Sequence, residues 1–573
     1  MGVVEDSQNM RSIKHLKDML EQSEKLFGSK NAFLLKKNPN EYKGITFSEF
    51  KANIDQLGTA FINLGLKGKH IAVIGENRYE WCVTYFAAAA GCGVIVPLDK
   101  ELPLHELRNL LGRSGASAVV FSGKLQDEIS KLKGIIPNVQ YFINMDLKED
   151  ADGYLSFQKL LEKGKELISS GDRSFIDAQI DSDAMSTLLF TSGTTDLAKG
   201  VMLSHKNICS NVVQVSSVIK MYSSDSILSI LPLHHTYECT AGFLTMIYNG
   251  CCISFNEGLK HISKNLKEFK PTLLLSVPLI LENMYKKIWD QASKKFSLKI
   301  KLKVAIVLSN FLLTFLKIDL RKTLFRNILD SVGGRLRIVI SGAAAIDPAI
   351  SKGLTSMGIN ILQGYGLTEC SPIVTVNPLE NCRYDSVGKP LPGIEIKIDN
   401  PDEEGIGELV VKGDNVMIGY YENPLATEKV LKDGWLYTGD LGYVDDFGFY
   451  YITGRKKNVI VTKNGKNIFP EEVEAYLNKS PYILESLVWG KYDENSGETF
   501  VNAQIVPDME IIKQKLKLDN PSYDDIYSLI SHEVKAANKN MPSYKHVRSF
   551  TIREDEFAKT TTKKIKRYEV KTS

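Results

Sequence analysis

"TSGTTDLAKG", residues 191–200, packs six Gly, Ser or Thr residues and one Lys into ten positions. The run before it, "MSTLLF", reads as a short buried strand. The run after it, "VMLSHKNICSNVVQVSSVI", reads as a strand end followed by a helix. Two accounts fit a loop of this kind. Gly, Ser and Thr make turns without any ligand. They also make phosphate cradles, because Gly admits an anion close to the backbone, hydroxyls and amides donate to its oxygens, and a Lys supplies charge. The spacing is not the nucleoside-triphosphate loop G-x-x-x-x-G-K-[ST], since Lys199 follows Ala198 and precedes Gly200. The rest of the chain has to choose between the two.

Working outward, "KHIAVIGEN" (69–77), "GCGVIVPLD" (91–99) and "ASAVVFSG" (116–123) are apolar runs closed by Gly, Asn or Asp, with helical stretches between them. "TLLLSVP" (272–278), "LRIVISGAAA" (336–345) and "INILQGYG" (359–366) repeat the pattern. Strand–helix alternation of this sort predicts an α/β domain with largely parallel sheets. From about 384 to 454 the texture changes to short alternating strands with Gly and Asp turns, predicting a β-rich subdomain. From 455 to 573 an α+β piece follows, ending in a basic tail.

Composition narrows the class. The chain has 573 residues, 43% hydrophobic and 24% charged, which suits a multidomain globular protein. A formal charge of +3 gives no global case for nucleic-acid binding. Eight scattered cysteines with no C-x-x-C pair argue against zinc and against a disulfide framework, and fit a reducing cytoplasmic setting. The first twenty residues have no apolar core of the signal-peptide kind. Nothing in the sequence sets an oligomeric state.

Residues 286–326 stand apart. They hold eleven Lys or Arg against two Asp, around an apolar stretch from Val304 to Leu316. Those thirteen residues are fewer than the roughly 20 a bilayer span needs. Two readings remain: a core helix with solvated basic ends, or a basic amphipathic element making peripheral contact with an anionic membrane.

Four further motifs decide the opening question. They are "QGYGLTEC" (363–370), "DGWLYTGDLG" (433–442), "GRKKNVI" (454–460) and "AKTTTKKIKR" (558–567). With these in this order, the chain resembles the adenylate-forming superfamily, and within it the long-chain fatty-acid CoA ligases, from about residue 30 onward. "SGAAAIDP", "LPLHHTYE" (231–238) and "LLSVPLILENMYKKI" (274–288) fit the same subgroup.

The resemblance implies a large N-terminal AMP-binding domain of α/β sheets (1–454) and a small mobile α+β domain (455–573), with a hinge near Lys457. It implies that a medium- or long-chain fatty acid is activated with ATP to an acyl-adenylate, then transferred to CoA. Related readings are activation of another acid, transfer to a carrier-protein thiol, and a nucleotide-binding regulator without turnover. Thr191, Ser192, Gly193, Thr194, Thr195 and Lys199 would hold phosphates, with Thr191 also counted as catalytic. Glu369, joined by Thr194, would bind Mg2+. Gly342, Ala343 and Ala344 would wall the adenine opposite Tyr365. The nucleotide would run along Gln363, Gly364, Gly366 and Leu367 to Thr368 at the α-phosphate. Asp440 and Arg455 would take the ribose, His235 and Tyr237 the acyl chain, and Lys564 would catalyse adenylation.

The chain departs from the family pattern at Asp196, where a Gly is usual, at Ala198, where a Pro is usual, and at Lys563, where a Gly is often found. Asp196 adds negative charge beside the expected triphosphate. Ala198 leaves the loop looser than Pro would.

Overall fold

The computed structural model describes residues 10–39, 41–191, 198–462, 466–493, 498–559 and 565–570. These residues fall into two compact units. One comprises residues 10–191, 198–395 and 411–436, the other 396–410 and 437–570.

Two sheets organise the first unit. The larger has nine strands. Its centre runs Asn360–Gly366, Ile338–Ser341, Leu273–Ser276, Ser226–Ser229, Cys252–Phe255 and Asn31–Asn38, all parallel neighbours. Antiparallel strands close both ends: Ile373–Val376 and Lys389–Pro390 at one, Glu41–Thr46 at the other. The second sheet has eight strands. His70–Ile74 lies between Val94–Leu98 and Ala116–Phe121, in parallel with both. The apolar runs at 69–123 are therefore strands buried on both faces, which explains their unbroken Val, Ile and Ala content. Their core includes Ile74, Val96, Leu98, Val119 and Phe121, all 2% exposed or less.

The mixed α/β class expected from the sequence is the observed one. Five strands of the expected β-rich stretch, Glu395–Asp399, Gly407–Lys412, Leu431–Lys432, Trp435–Val444 and Tyr450–Arg455, form one five-stranded sheet, and two short ones leave it. Lys389–Pro390 joins the nine-stranded sheet and Gly419–Tyr420 the eight-stranded one. In the second unit, residues 437–444 of the strand Trp435–Val444 run antiparallel to Tyr450–Arg455. This unit also has a three-stranded sheet of Ile483–Asp493, Glu498–Pro507 and Val547–Ile552. The helices Pro470–Leu477 and Tyr523–Asn538 cover that sheet around a core of Val488, Ala503, Ile505 and Ile530.

The segment 286–326 forms the end of the helix Pro278–Ser293, then a 21-residue helix Phe296–Leu316, then short turns. Of the second helix only Ser309 is buried. It is not a core helix. An apolar run reads the same in sequence whichever side it presents, and here much of it faces outward.

Candidate active site

Thr191 and Lys199, in the opening stretch, belong to paired strands. Met185–Thr191 pairs antiparallel with Lys199–Ser204, and Thr191 sits directly opposite Lys199. The Thr191 hydroxyl donates to the Lys199 carbonyl at 3.4 Å. The helix His205–Val218 follows at once, started by a capping box between Ser204 and Asn207. Ser192, Gly193, Thr194 and Thr195 lie outside the described residues, as does Asp196. Ala198 packs against the core of the eight-stranded sheet.

A second edge strand completes this corner. Gly419–Tyr420 pairs with Lys199–Ser204, Tyr420 opposite Val201. The Lys199 ammonium lies 4.7 Å from the Tyr420 ring centroid, within cation–π range. On its other side, the Tyr420 hydroxyl donates to Glu369 Oε1 at 2.9 Å. Tyr420 thus touches both the cation at the end of the Gly/Ser/Thr loop and the carboxylate of "GYGLTE". The sequence reading passed over Tyr420, which lies in "IGYY" (418–421). Only the strand pairing reveals its place.

"QGYGLTE" itself turns sharply. Asn360–Gly366 pairs antiparallel with Ile373–Val376, with Gly364 opposite Val376 and Tyr365 opposite Thr375. A Cβ on Gly366 would fall 2.1 Å from the Pro372 carbonyl oxygen, so no larger residue fits there. Leu367 N–H donates to that same oxygen at 2.9 Å. The reversal brings Thr368 and Glu369 into a 3₁₀ turn, Thr368–Cys370. The Thr368 hydroxyl stands 3.5 Å from that of Thr236. Gln363 is buried, and its side-chain oxygen accepts from Ile346 N–H at 3.4 Å.

The expected adenine wall and the expected acyl gate meet. Gly342 is buried and directly follows the parallel strand Ile338–Ser341, and a Cβ there would fall 2.9 Å from Cζ of Tyr237. The Tyr237 hydroxyl donates to the Ile340 carbonyl at 3.0 Å. Burial, with Glu238 beside it, pushes this phenol well above its ordinary value. Ala343 follows at φ +71° and Ala344 is exposed. His235 stacks near His234, with ring centroids 4.8 Å apart. Burial, aided by Lys100, drives the His234 imidazole down to about 3 and keeps it neutral. Its Nε2 lies 3.6 Å from Asp99 Oδ2.

Two residues that the sequence reading did not single out hold this loop. Asn77, in the bend after the strand His70–Ile74, donates to Ser229 Oγ at 2.8 Å and the Leu231 carbonyl at 2.6 Å, and accepts from Leu233 N–H at 3.0 Å. Glu238 is wholly buried, and burial pushes it up to about 8, with the Ser229 side chain and the Leu231 backbone pulling against that. It opens the π-helical turn Tyr237–Leu244, whose Gly242 leaves room for it.

In the second unit, Asp440 faces Arg455 across the strand pair. Arg455 Nε lies 2.7 Å from Asp440 Oδ1; the carboxylate is buried and the arginine exposed. Next to Arg455, Lys456 bonds Glu408 at 2.6 Å. Lys457 lies in the 3₁₀ turn Lys456–Asn458, its ammonium lowered by burial and by Arg455 and Arg567. Lys564 lies outside the described residues.

A family model for AMP-binding enzymes matches residues 20–421. Long-chain-fatty-acid–CoA ligase FadD15 of Mycobacterium bovis is 28% identical over 555 residues, 91% of this chain and 90% of its own length. Two solved structures share the fold at 22% identity. One is an anthranilate CoA ligase, AuaEII, in complex with anthranoyl-AMP, with a TM-score of 0.76 over 97% of this chain and 96% of that one. The other is the O-succinylbenzoate coenzyme A synthetase MenE of Bacillus subtilis in complex with AMP, at 0.73 over 97% and 98%.

Proposed function

The chain belongs to the AMP-binding enzyme family, and from that premise we propose that it is a fatty-acid CoA ligase acting on medium- or long-chain acids. The observation that carries the reading is the contact series Lys199–Tyr420–Glu369, which sets a cation and a carboxylate at the end of a Gly/Ser/Thr loop. The acid class is supported by the fatty-acid ligase relative that spans nearly the whole chain.

In the first half-reaction a carboxylate oxygen bonds to the α-phosphorus of ATP. The bond to the bridging oxygen breaks and pyrophosphate leaves. In the second, the CoA thiolate bonds to the acyl carbon and AMP leaves. The first step brings two anions together, so it needs positive charge that strengthens as the new bond forms. Lys199 and the loop hydroxyls serve the β- and γ-phosphates, and Thr368 the α-phosphate. Lys564 serves the attacking carboxylate and the α-phosphate. Asp440 and Arg455 serve the ribose. His235 and Tyr237 serve the acyl chain, with neutral His234 beside His235. Lys457 is the hinge at which residues 455–573 re-orient between the half-reactions.

Among the described residues no three His, Cys, Asp or Glu side chains gather into a metal cage. Glu369 offers one carboxylate oriented by Tyr420, a donor set that fits magnesium held chiefly by phosphate and water. When bound, magnesium neutralises phosphate oxygens.

The test is pyrophosphate release and acyl-CoA formation by purified protein with ATP, magnesium and CoA across a panel of C6 to C20 fatty acids, anthranilate and other aryl acids. Acyl-CoA formed best from a medium or long fatty acid is the expected result. Turnover confined to an aryl acid would move the substrate class. Absence of any turnover would favour a nucleotide-binding regulator.

A further inference from the structure

The helix Phe296–Leu316 presents an apolar stripe to solvent. Phe296, Ile300, Val304, Val307, Leu308, Phe311 and Phe315 recur at spacings of three and four, so at 3.6 residues per turn they share one face of roughly 120°. Their exposure is high: 79% for Phe296, 69% for Val307 and 71% for Phe315. The Phe311 and Phe315 rings lie 5.0 Å apart, centroid to centroid, on that face. The opposite face is held by the protein. Leu302, Ala305 and Ile306 are half-buried, Ser309 is buried, and Asn310 donates to Ser356 at 3.1 Å. The helix therefore lies along the surface of its unit, fixed on one side and apolar on the other.

Charge frames the stripe. By the same helical geometry Lys299 and Lys303 border one edge and Lys301 the other. Lys294, Lys295, Lys317, Lys322 and Arg326 extend the cationic frame at both ends. Asp319 is paired with Arg321, and few other anions lie along this segment.

We propose that this face is an in-plane anchor for an anionic lipid bilayer. A monomeric protein seldom exposes so long an apolar strip without a partner. An apolar face rimmed by lysines is the chemistry of an interfacial helix, which sinks its apolar side among the acyl chains and keeps its cations at the phosphates. No described helix is apolar enough to cross a membrane. Phe296–Leu316 would reach roughly 30 Å end to end, but three lysines in its first half keep it in the interface. A second copy of the chain fits the face less well, since two copies would bring lysine rims against each other. The surface is argued from geometry and charge alone. Its use, taking up a long-chain acid where such acids dissolve, rests on the proposed function.

The full chain is mixed with phosphatidylcholine vesicles, with or without 30% phosphatidylglycerol, at 50 and 500 mM salt, and sedimented without substrate. The variants are K299E/K301E/K303E and F311S/F315S, each checked for native circular dichroism. Their pyrophosphate release is measured separately in lipid-free solution with a short soluble acid. The expected result is co-sedimentation with anionic vesicles at low salt, at least tenfold weaker at high salt and in either variant, while lipid-free turnover per molecule stays within twofold. No sedimentation at low salt, equal binding to neutral vesicles, or unchanged binding by both folded variants would overturn it. So would a lipid-free dimer that F311S/F315S dissolves. Membrane binding without turnover would leave the anchor standing and count against the ligase reading alone.

Discussion

Arg567 grips Glu474 with both oxygens of the carboxylate, at 2.6 and 2.5 Å, and donates a third bond to the Val488 carbonyl at 3.0 Å. Glu474 in turn accepts from Val488 N–H at 2.6 Å. Burial pushes this carboxyl up to about 7, and the arginine and the amide pull against that. The pair pins the chain to the second unit's sheet three residues after Lys564. It gives the basic tail a fixed point that its Lys-rich composition alone does not suggest.

Loss of that grip should show in one half-reaction. Arg567→Ala is expected to slow adenylation more than tenfold while leaving thioesterification of supplied acyl-adenylate within about threefold. It also leaves a buried carboxylate unpaired, which costs about 3–5 kcal/mol. Glu474→Gln combined with Arg567→Ala should recover most of the melting temperature and none of the adenylation rate. Recovery of both would show that Arg567 matters only for stability.

Tyr420→Phe removes one hydrogen bond to Glu369 and keeps the ring beneath Lys199. A bond to a charged group is worth about 1.5–3 kcal/mol. The expected result is a roughly tenfold fall in kcat/KM for ATP, steepest at limiting magnesium, with little change in melting temperature. An unchanged magnesium dependence would separate Glu369 from the metal.

Glu238 makes stability depend on pH. Its folded pKa, about 8, stands above the ordinary 4.5. The unfolded chain therefore releases this proton first. Stability from this group is complete below about 4.5, falls as pH rises, and levels off above about 8. At about 1.4 kcal/mol per pH unit the span is on the order of 5 kcal/mol. Glu238→Gln, which keeps the shape and removes the charge, should match the wild type in denaturant melts at pH 4 and exceed it at pH 8. A gap of the same size at both ends would contradict the buried neutral acid.

Lys564→Ala is expected to abolish adenylation and spare thioesterification of pre-made acyl-adenylate. Lys457→Pro should do the converse, because proline fixes φ near −65° where the proposed hinge would turn. Parallel loss of both half-reactions in either variant would remove the role given to that residue.

Much of the scaffold could be read from the sequence. The apolar runs at 69–77, 91–99, 116–123, 272–278 and 336–345 all contain observed strands, because residues buried on both faces leave an unbroken local signature. The strand–helix succession after Gly200 was equally legible from its capping chemistry. Asn77, Tyr420, Glu238 and Arg567 were not. Asn77 meets its partners some 150 positions away, Tyr420 meets Glu369 across 51, and Arg567 meets Glu474 across 93. No local pattern encodes such contacts. The outward face of Phe296–Leu316 escaped for another reason. Apolar residues occupy both sides of that helix, so periodicity alone does not say which side the protein covers.

The Thr191–Lys199 strand pair has a consequence for how this protein can change. Both ends of the intervening segment are clamped in register by a sheet that is itself locked into the core. Closing that segment is thus a task the sheet performs, whatever residues lie between. Substitutions at 192–197 are therefore expected to carry little penalty in folding. A combinatorial library over those six positions should lose few members to misfolding, and its survivors would report on the chemistry and not on the scaffold.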